Sequence, residues 1–201
     1  AQVAPLKPKF LTVHASGGGA MIKAASVAAP NTEITAVTIL TSLSQKDMVE
    51  IGYEGSPLNR AIELAKLAVN SGARAIVCSP LEIQGIRSAI PDHISIITPG
   101  IRPLGESNVD DQKRVMDPKS ALNAGANYLV IGRPITSADN ISEAAKKIIL
   151  ASLIISAGCT VTGPTFNHRC APPAFTPNSG INTAINITKA TIKKGKAIFF
   201  R

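Results

Sequence analysis

Tyr128-Leu129-Val130-Ile131-Gly132-Arg133-Pro134 is a short apolar run that stops at a glycine, an arginine and a proline. The first four residues read as a strand buried on both faces. Four further runs of this kind lie upstream: Phe10 to His14, Ile34 to Leu40, Ala75 to Cys78 and Ile94 to Thr98. Helical patterns separate them. Gly19 to Ala29 follows the first run, and Pro57 to Asn70 places Leu58, Ala61, Ile62, Ala65, Ala68 and Val69 on one face before Ser71-Gly72 stops it. Leu81 to Ile90, Pro118 to Asn123 (ended by Gly125) and Ser142 to Leu153, with Ser142 as N-cap, complete the series. Strands alternating with helices imply a parallel sheet with right-handed crossovers, here five βα units over residues 10–153. An open doubly wound sheet and a barrel both fit that order.

The 201 residues suffice for one domain with a sizeable core, whereas a whole (β/α)8 barrel usually needs about 250. Trp is absent and aromatics are few, so Ile, Val, Leu and Ala must build the interior. The net charge of +8 points at first to a nucleic-acid or membrane partner. Its distribution argues otherwise. Residues 1–151 carry 15 Lys/Arg against 13 Asp/Glu, and residues 152–201 carry six Lys/Arg and no acid. Three widely spaced cysteines without a CxxC fit a reducing cytoplasm. No run approaches the roughly 20 apolar residues of a membrane span, and no secretory leader is visible. The chain opens at Ala1 without Met, which is read as a fragment or a processed piece.

In parallel α/β folds ligands bind at the carboxyl ends of strands. Four such ends carry polar or glycine-rich groups: His14-Ala15-Ser16-Gly17-Gly18, Leu40-Thr41-Ser42, Thr98-Pro99-Gly100-Ile101-Arg102-Pro103, and Gly132-Arg133-Pro134. Gly132 lets a ligand approach the backbone N–H closely, and the planar fork of Arg133 matches phosphate oxygens. The alternative for Arg133 is a surface carboxylate partner. The long loop from Pro99 to Asp117 has the length of a lid, from which Gln112 can offer an amide hydrogen bond to phosphate; the alternative is a solvated loop.

Taken together, Val-His-Ala-Ser-Gly-Gly, Val-Thr-Ile-Leu-Thr-Ser, Thr-Pro-Gly-Ile-Arg-Pro, Asp-Asp-Gln-Lys-Arg-Val and Tyr-Leu-Val-Ile-Gly-Arg-Pro-Ile-Thr closely resemble orotidine 5′-monophosphate decarboxylase in order and spacing, over about residues 2–152. The resemblance implies a (β/α)8 TIM barrel, of which this chain supplies about five βα units, strands four to eight. It implies that Arg133 and the Gly132 N–H grip the 5′-phosphate of orotidine or uridine monophosphate, that Gln112 closes over it, and that Arg102 lies at the phosphate end. Thr41 then contacts the pyrimidine and Pro99 walls its pocket. His14 is assigned structural support. A homodimer is implied, and neither metal nor organic cofactor is expected.

The family also carries Asp-x-Lys-x-x-Asp on its third strand, with an Asp and a Lys on the first two. No such motif occurs in the 201 residues, and those segments are expected to precede Ala1. No catalytic residue is therefore assigned, and the isolated chain is expected to be inactive. Asp111-Gln112-Lys113 with Asp117 is a look-alike whose second Asp falls one residue too late. Residues 154–201 resemble nothing in the family and read as a basic, weakly structured tail rich in Pro, Gly, Asn and Thr. Ile181 to Ile187 and Lys196 to Phe200 are its strand candidates. Cys159, His168 and Cys170 are too irregularly spaced for a metal site, and no aromatic platform accompanies Lys189, Lys193, Lys194 and Lys196 to favour nucleic acid. The rival readings are another phosphate-binding barrel, such as a sugar-phosphate aldolase or synthase, and a non-catalytic anion or nucleic-acid binder acting through the tail.

Overall fold

The computed structural model of the chain describes residues 2–103, 114–153 and 198–200. Five parallel strands, β1 (Phe10–His14), β2 (Glu33–Val37), β3 (Ala75–Val77), β4 (Ser95–Thr98) and β5 (Tyr128–Ile131), pair in sequence order. Such neighbours cannot be joined by a tight turn, and helices carry the crossovers. These are α1 (Gly18–Ala28), α2 (Gln45–Glu50), α3 (Pro57–Asn70), α4 (Ile83–Arg87) and α5 (Pro118–Asn123), while α6 (Arg133–Thr136) and α7 (Ile141–Leu153) follow β5. A short strand, β6 (Ile198–Phe200), lies antiparallel on the free edge of β5.

The strands bury their two faces unequally. Leu11, Val13, Ile34, Ala36, Ile76, Ile96, Leu129 and Ile131 meet the helices through Ile22, Leu64, Ala65, Ile83, Ile86 and Ile148 in the main core. Each fully buried isoleucine there contributes roughly 2–3 kcal/mol of hydrophobic free energy. The opposite face carries a small cluster of Ala75, Ile97 and Tyr128, with Phe10, Val77 and Val130 against it. Its geometry reveals the curvature. Phe10 of β1 and Tyr128 of β5 meet edge to face with ring centroids 5.1 Å apart, and Lys9 Nζ donates to the Tyr128 hydroxyl at 2.8 Å. In a flat sheet four strand spacings would separate those positions by roughly 19 Å. The sheet is therefore curled into an arc, and strands four places apart face each other as in an eight-stranded barrel. On this concave side Thr12 and His14 are exposed. His14 thus lacks the packing role expected of it, because it projects from an edge strand toward the open side of the arc.

Helix starts follow local chemistry. Ser56 and Asp117 cap α3 and α5, each with proline at the next position, where the missing N–H costs nothing. Ser44 and Asp47 close a reciprocal capping box on α2, a helix the sequence periodicity does not show. Asn140 replaces Ser142 as the cap of α7, its Oδ1 accepting the Glu143 N–H at 3.0 Å. The helix expected from Leu81 to Ile90 is instead a 3-10 turn, Pro80–Glu82, running into α4. The second strand ends at Val37 rather than Leu40, since Thr38 turns both its N–H and its hydroxyl onto the Val77 carbonyl. Gly72 and Gly125 stop their helices with φ of 98° and 109°, where a side chain would be strained. Gly19 lies at a close approach: a Cβ there would stand 2.7 Å from Ser71 Oγ, where α1 meets the end of α3, so the serine hydroxyl would have to turn away.

Candidate active-site rim

Because all five strands run the same way, their carboxyl ends lie along one rim. Thr41 sits beyond β2, Pro99 and Arg102 beyond β4, and Gly132 and Arg133 beyond β5. Thr41 is buried, Pro99, Arg102 and Gly132 are half-buried, and Arg133 is exposed. Gln112 lies outside the described residues, as do Asp110, Asp111 and Lys113. The two roots of their segment are held side by side: the Arg102 N–H donates to the Met116 carbonyl at 3.0 Å, and the Met116 N–H donates to the Gly100 carbonyl at 3.2 Å. Gly100 makes this turn with φ of 77°. The tail positions Cys159, His168 and Cys170 also lie outside the described residues.

Gly132 precedes the single turn of α6, whose next residues are Arg133 and Pro134. Among the described residues, a Cβ on Gly132 would meet no atom within 4 Å, so their packing places no demand for glycine here. What glycine supplies is an unobstructed approach to the backbone beside an exposed guanidinium, the surroundings an anion needs.

Between the β2, β3 and β4 tips lies a buried polar cluster that the sequence reading did not single out. Glu82 is 1% exposed. Its carboxylate accepts the Ser79 N–H at 3.0 Å and pairs with Arg114. The second Nη of Arg114 donates to the Leu40 carbonyl at 2.8 Å. Burial pushes the Glu82 carboxyl above its usual range, and the Arg114 guanidinium and the Ser79 N–H oppose that rise. Burial likewise holds the Cys78 thiol far above the usual thiol range, reinforced by the Glu82 charge. The Thr98 hydroxyl beside the thiol works in the opposite direction without offsetting burial. A thiol so held is a packing group rather than a nucleophile. Ser79-Pro80-Leu81-Glu82 has the spacing of a capping box, and that signal marks Glu82 as folding back onto its own turn. Asp117, the look-alike acid, caps α5 by accepting the Ser120 N–H at 3.0 Å. Slight burial raises its pKa, but the bonds from Ser120 outweigh that and leave it below the ordinary 3.8.

A parallel β/α arc with barrel curvature and its polar groups gathered on the carboxyl-end rim defines a barrel-type α/β protein. A profile of the Orotidine 5′-phosphate decarboxylase / HUMPS family matches residues 1–148. The protein named orotidine 5′-phosphate decarboxylase in Thermobifida fusca is 50% identical over 143 residues, which are 71% of this chain and 61% of that one. Its namesake in Frankia casuarinae is 47% identical over 146 residues, 73% of this chain and 53% of that one. The crystal structure of orotidine 5′-phosphate decarboxylase from Lactobacillus acidophilus superposes with a TM-score of 0.62 at 34% identity, over 75% of this chain and 66% of that one. The chain belongs to the orotidine 5′-phosphate decarboxylase / HUMPS family. It spans between half and two thirds of the length of these relatives. Among the described residues, no helix is long and apolar enough to cross a membrane.

Proposed function

We propose that this chain provides the substrate-gripping rim of an orotidine 5′-phosphate decarboxylase in pyrimidine nucleotide synthesis. The observation that carries the reading is the position of Gly132 and Arg133: an exposed guanidinium and an unobstructed glycine backbone at the tip of β5, within the stretch matched to the family. Arg133 and the Gly132 N–H hold the 5′-phosphate, Arg102 adds charge at that end, and Gln112 reaches over it. Thr41 and Pro99 flank the pyrimidine.

The reaction breaks the bond between C6 of the pyrimidine and its carboxylate. CO2 leaves, the electron pair stays on C6, and a proton then fills that position to give uridine monophosphate. The family's lysine supplies the proton and the stabilising charge. Its Asp-x-Lys-x-x-Asp motif does not occur in the 201 residues, so what this chain contributes is binding energy remote from the reacting carbon, which lowers the barrier there. No metal or organic cofactor enters. We further propose a cytoplasmic homodimer, which sedimentation at micromolar concentration checks.

Two titrations of the 201-residue chain test the reading. Uridine monophosphate should bind, and ribulose 5-phosphate should compete poorly with it. Orotidine monophosphate should bind without losing its absorbance. Turnover by this chain would show that it holds an acid of its own, and failure to bind uridine monophosphate would overturn the assignment.

A further inference from the structure

We propose that Arg114 is a positioning residue for the pyrimidine-contacting turn, acting through the Leu40 carbonyl, with Glu82 as its buried counter-ion. The inference rests on the reading of Thr41 given above. Leu40 to Leu43 forms a turn closed by the Leu43 N–H donating to the Leu40 carbonyl at 3.0 Å, with Thr41 at its first corner. That same carbonyl accepts the Arg114 Nη at 2.8 Å. The other Nη pairs with Glu82, which is held in turn by the Ser79 N–H. One guanidinium therefore ties the loop after β2 to the loop after β3, from a residue two positions before the Met116 that bridges to Ile101 beyond β4.

The arrangement is more than a surface ion pair. The Glu82 side chain is 2% exposed and that of Arg114 12%. A lone carboxylate at that depth would be costly, so the pair acts as one unit. Lysine carries the charge on a single nitrogen and lacks the fixed fork by which Arg114 reaches Glu82 and Leu40 from two separate atoms. The Thr38 hydroxyl, bonded to the Val77 carbonyl at 2.9 Å, fixes the start of this loop. Arg114 fixes its far end, where Thr41 stands.

The test compares two ligands on the 201-residue chain and its Arg114→Met and Arg114→Lys variants: uridine monophosphate, and ribose 5-phosphate, which has the phosphate without the base. Loss of one charge-assisted hydrogen bond predicts that Arg114→Met weakens uridine monophosphate about tenfold, and that Arg114→Lys recovers little of it. Ribose 5-phosphate should change less than about twofold. Thr41→Val added to Arg114→Met should cost little more, since both changes act on one contact. Equal weakening of both ligands, or full rescue by lysine, overturns the proposal. A second readout needs no ligand: hydrogen exchange at the Leu43 amide should quicken about tenfold in either variant while β4 amides hold. Unchanged exchange there overturns the positioning role even if the chain binds no nucleotide, whereas absence of nucleotide binding with quickened exchange overturns the functional reading alone.

Discussion

The two ends of the curled sheet place the same residue type in different surroundings. At the amino-terminal end, arginines tie backbone together. Arg74 donates to the Pro30 and Thr32 carbonyls, both at 2.7 Å, and Arg87 donates to the Ile94 carbonyl and to Asn127 Oδ1, both at 3.0 Å. Lys9, Phe10 and Tyr128 close the arc across that same end. At the carboxyl-terminal end Arg114 is a tie of this kind, but Arg133 stands exposed at a glycine that packing among the described residues does not explain. One end ties the arc's backbone together, and the other carries the groups proposed to face a ligand.

Core and rim should separate cleanly under mutation. Ile76, fully buried beneath the helices, is the largest expected effect: Ile76→Ala should cost about 4 kcal/mol of unfolding free energy, measured by denaturant titration. The variant's folded fraction should still bind uridine monophosphate as tightly as the parent does. Arg133→Ala should act on binding, lowering affinity by about 100-fold, the loss of two charge-assisted bonds. A drop in stability with intact affinity would place Arg133 with the structural arginines and erase the contrast.

Arg87→Ala tests the other end. Its guanidinium gathers the loop before β4 and the residue before β5, so its loss should cost about 2 kcal/mol of stability without changing ligand affinity. Tyr128→Phe is milder. It removes the hydroxyl that accepts from Lys9 but keeps the ring against Phe10, and should cost about 1 kcal/mol.

The strands were legible because continuous apolar runs such as Tyr128 to Ile131 have few alternatives, and Gly72 and Gly125 marked helix ends through backbone geometry alone. The rim was legible because parallel strands share a direction, so Thr41, Pro99, Arg102, Gly132 and Arg133 had to stand at strand tips. Curvature was not. Phe10 and Tyr128 are distant in the chain, and no local pattern announces that their rings touch. The Glu82–Arg114 pair was hidden for a similar reason: each looks like an ordinary surface charge until the fold buries them together. Ser142 looked like a cap because serine is a good one, but Asn140 sits two residues earlier and its side chain reaches the Glu143 N–H first.

An effect as small as that of Tyr128→Phe is expected at Asp117, and it depends on pH. Its carboxylate caps α5 and its folded-state pKa is lowered, so its contribution is fully present above the ordinary value of 3.8 and disappears as pH falls through the lower folded value. Asp117→Ala should cost about 1 kcal/mol at neutral pH. The gap between parent and variant should narrow only below pH 3.8, since the protonated side chain caps poorly. A gap for Asp117→Ala that stayed level down to pH 3 would mean that the cap works through its shape alone, and the carboxylate charge would then contribute nothing at this end of the sheet.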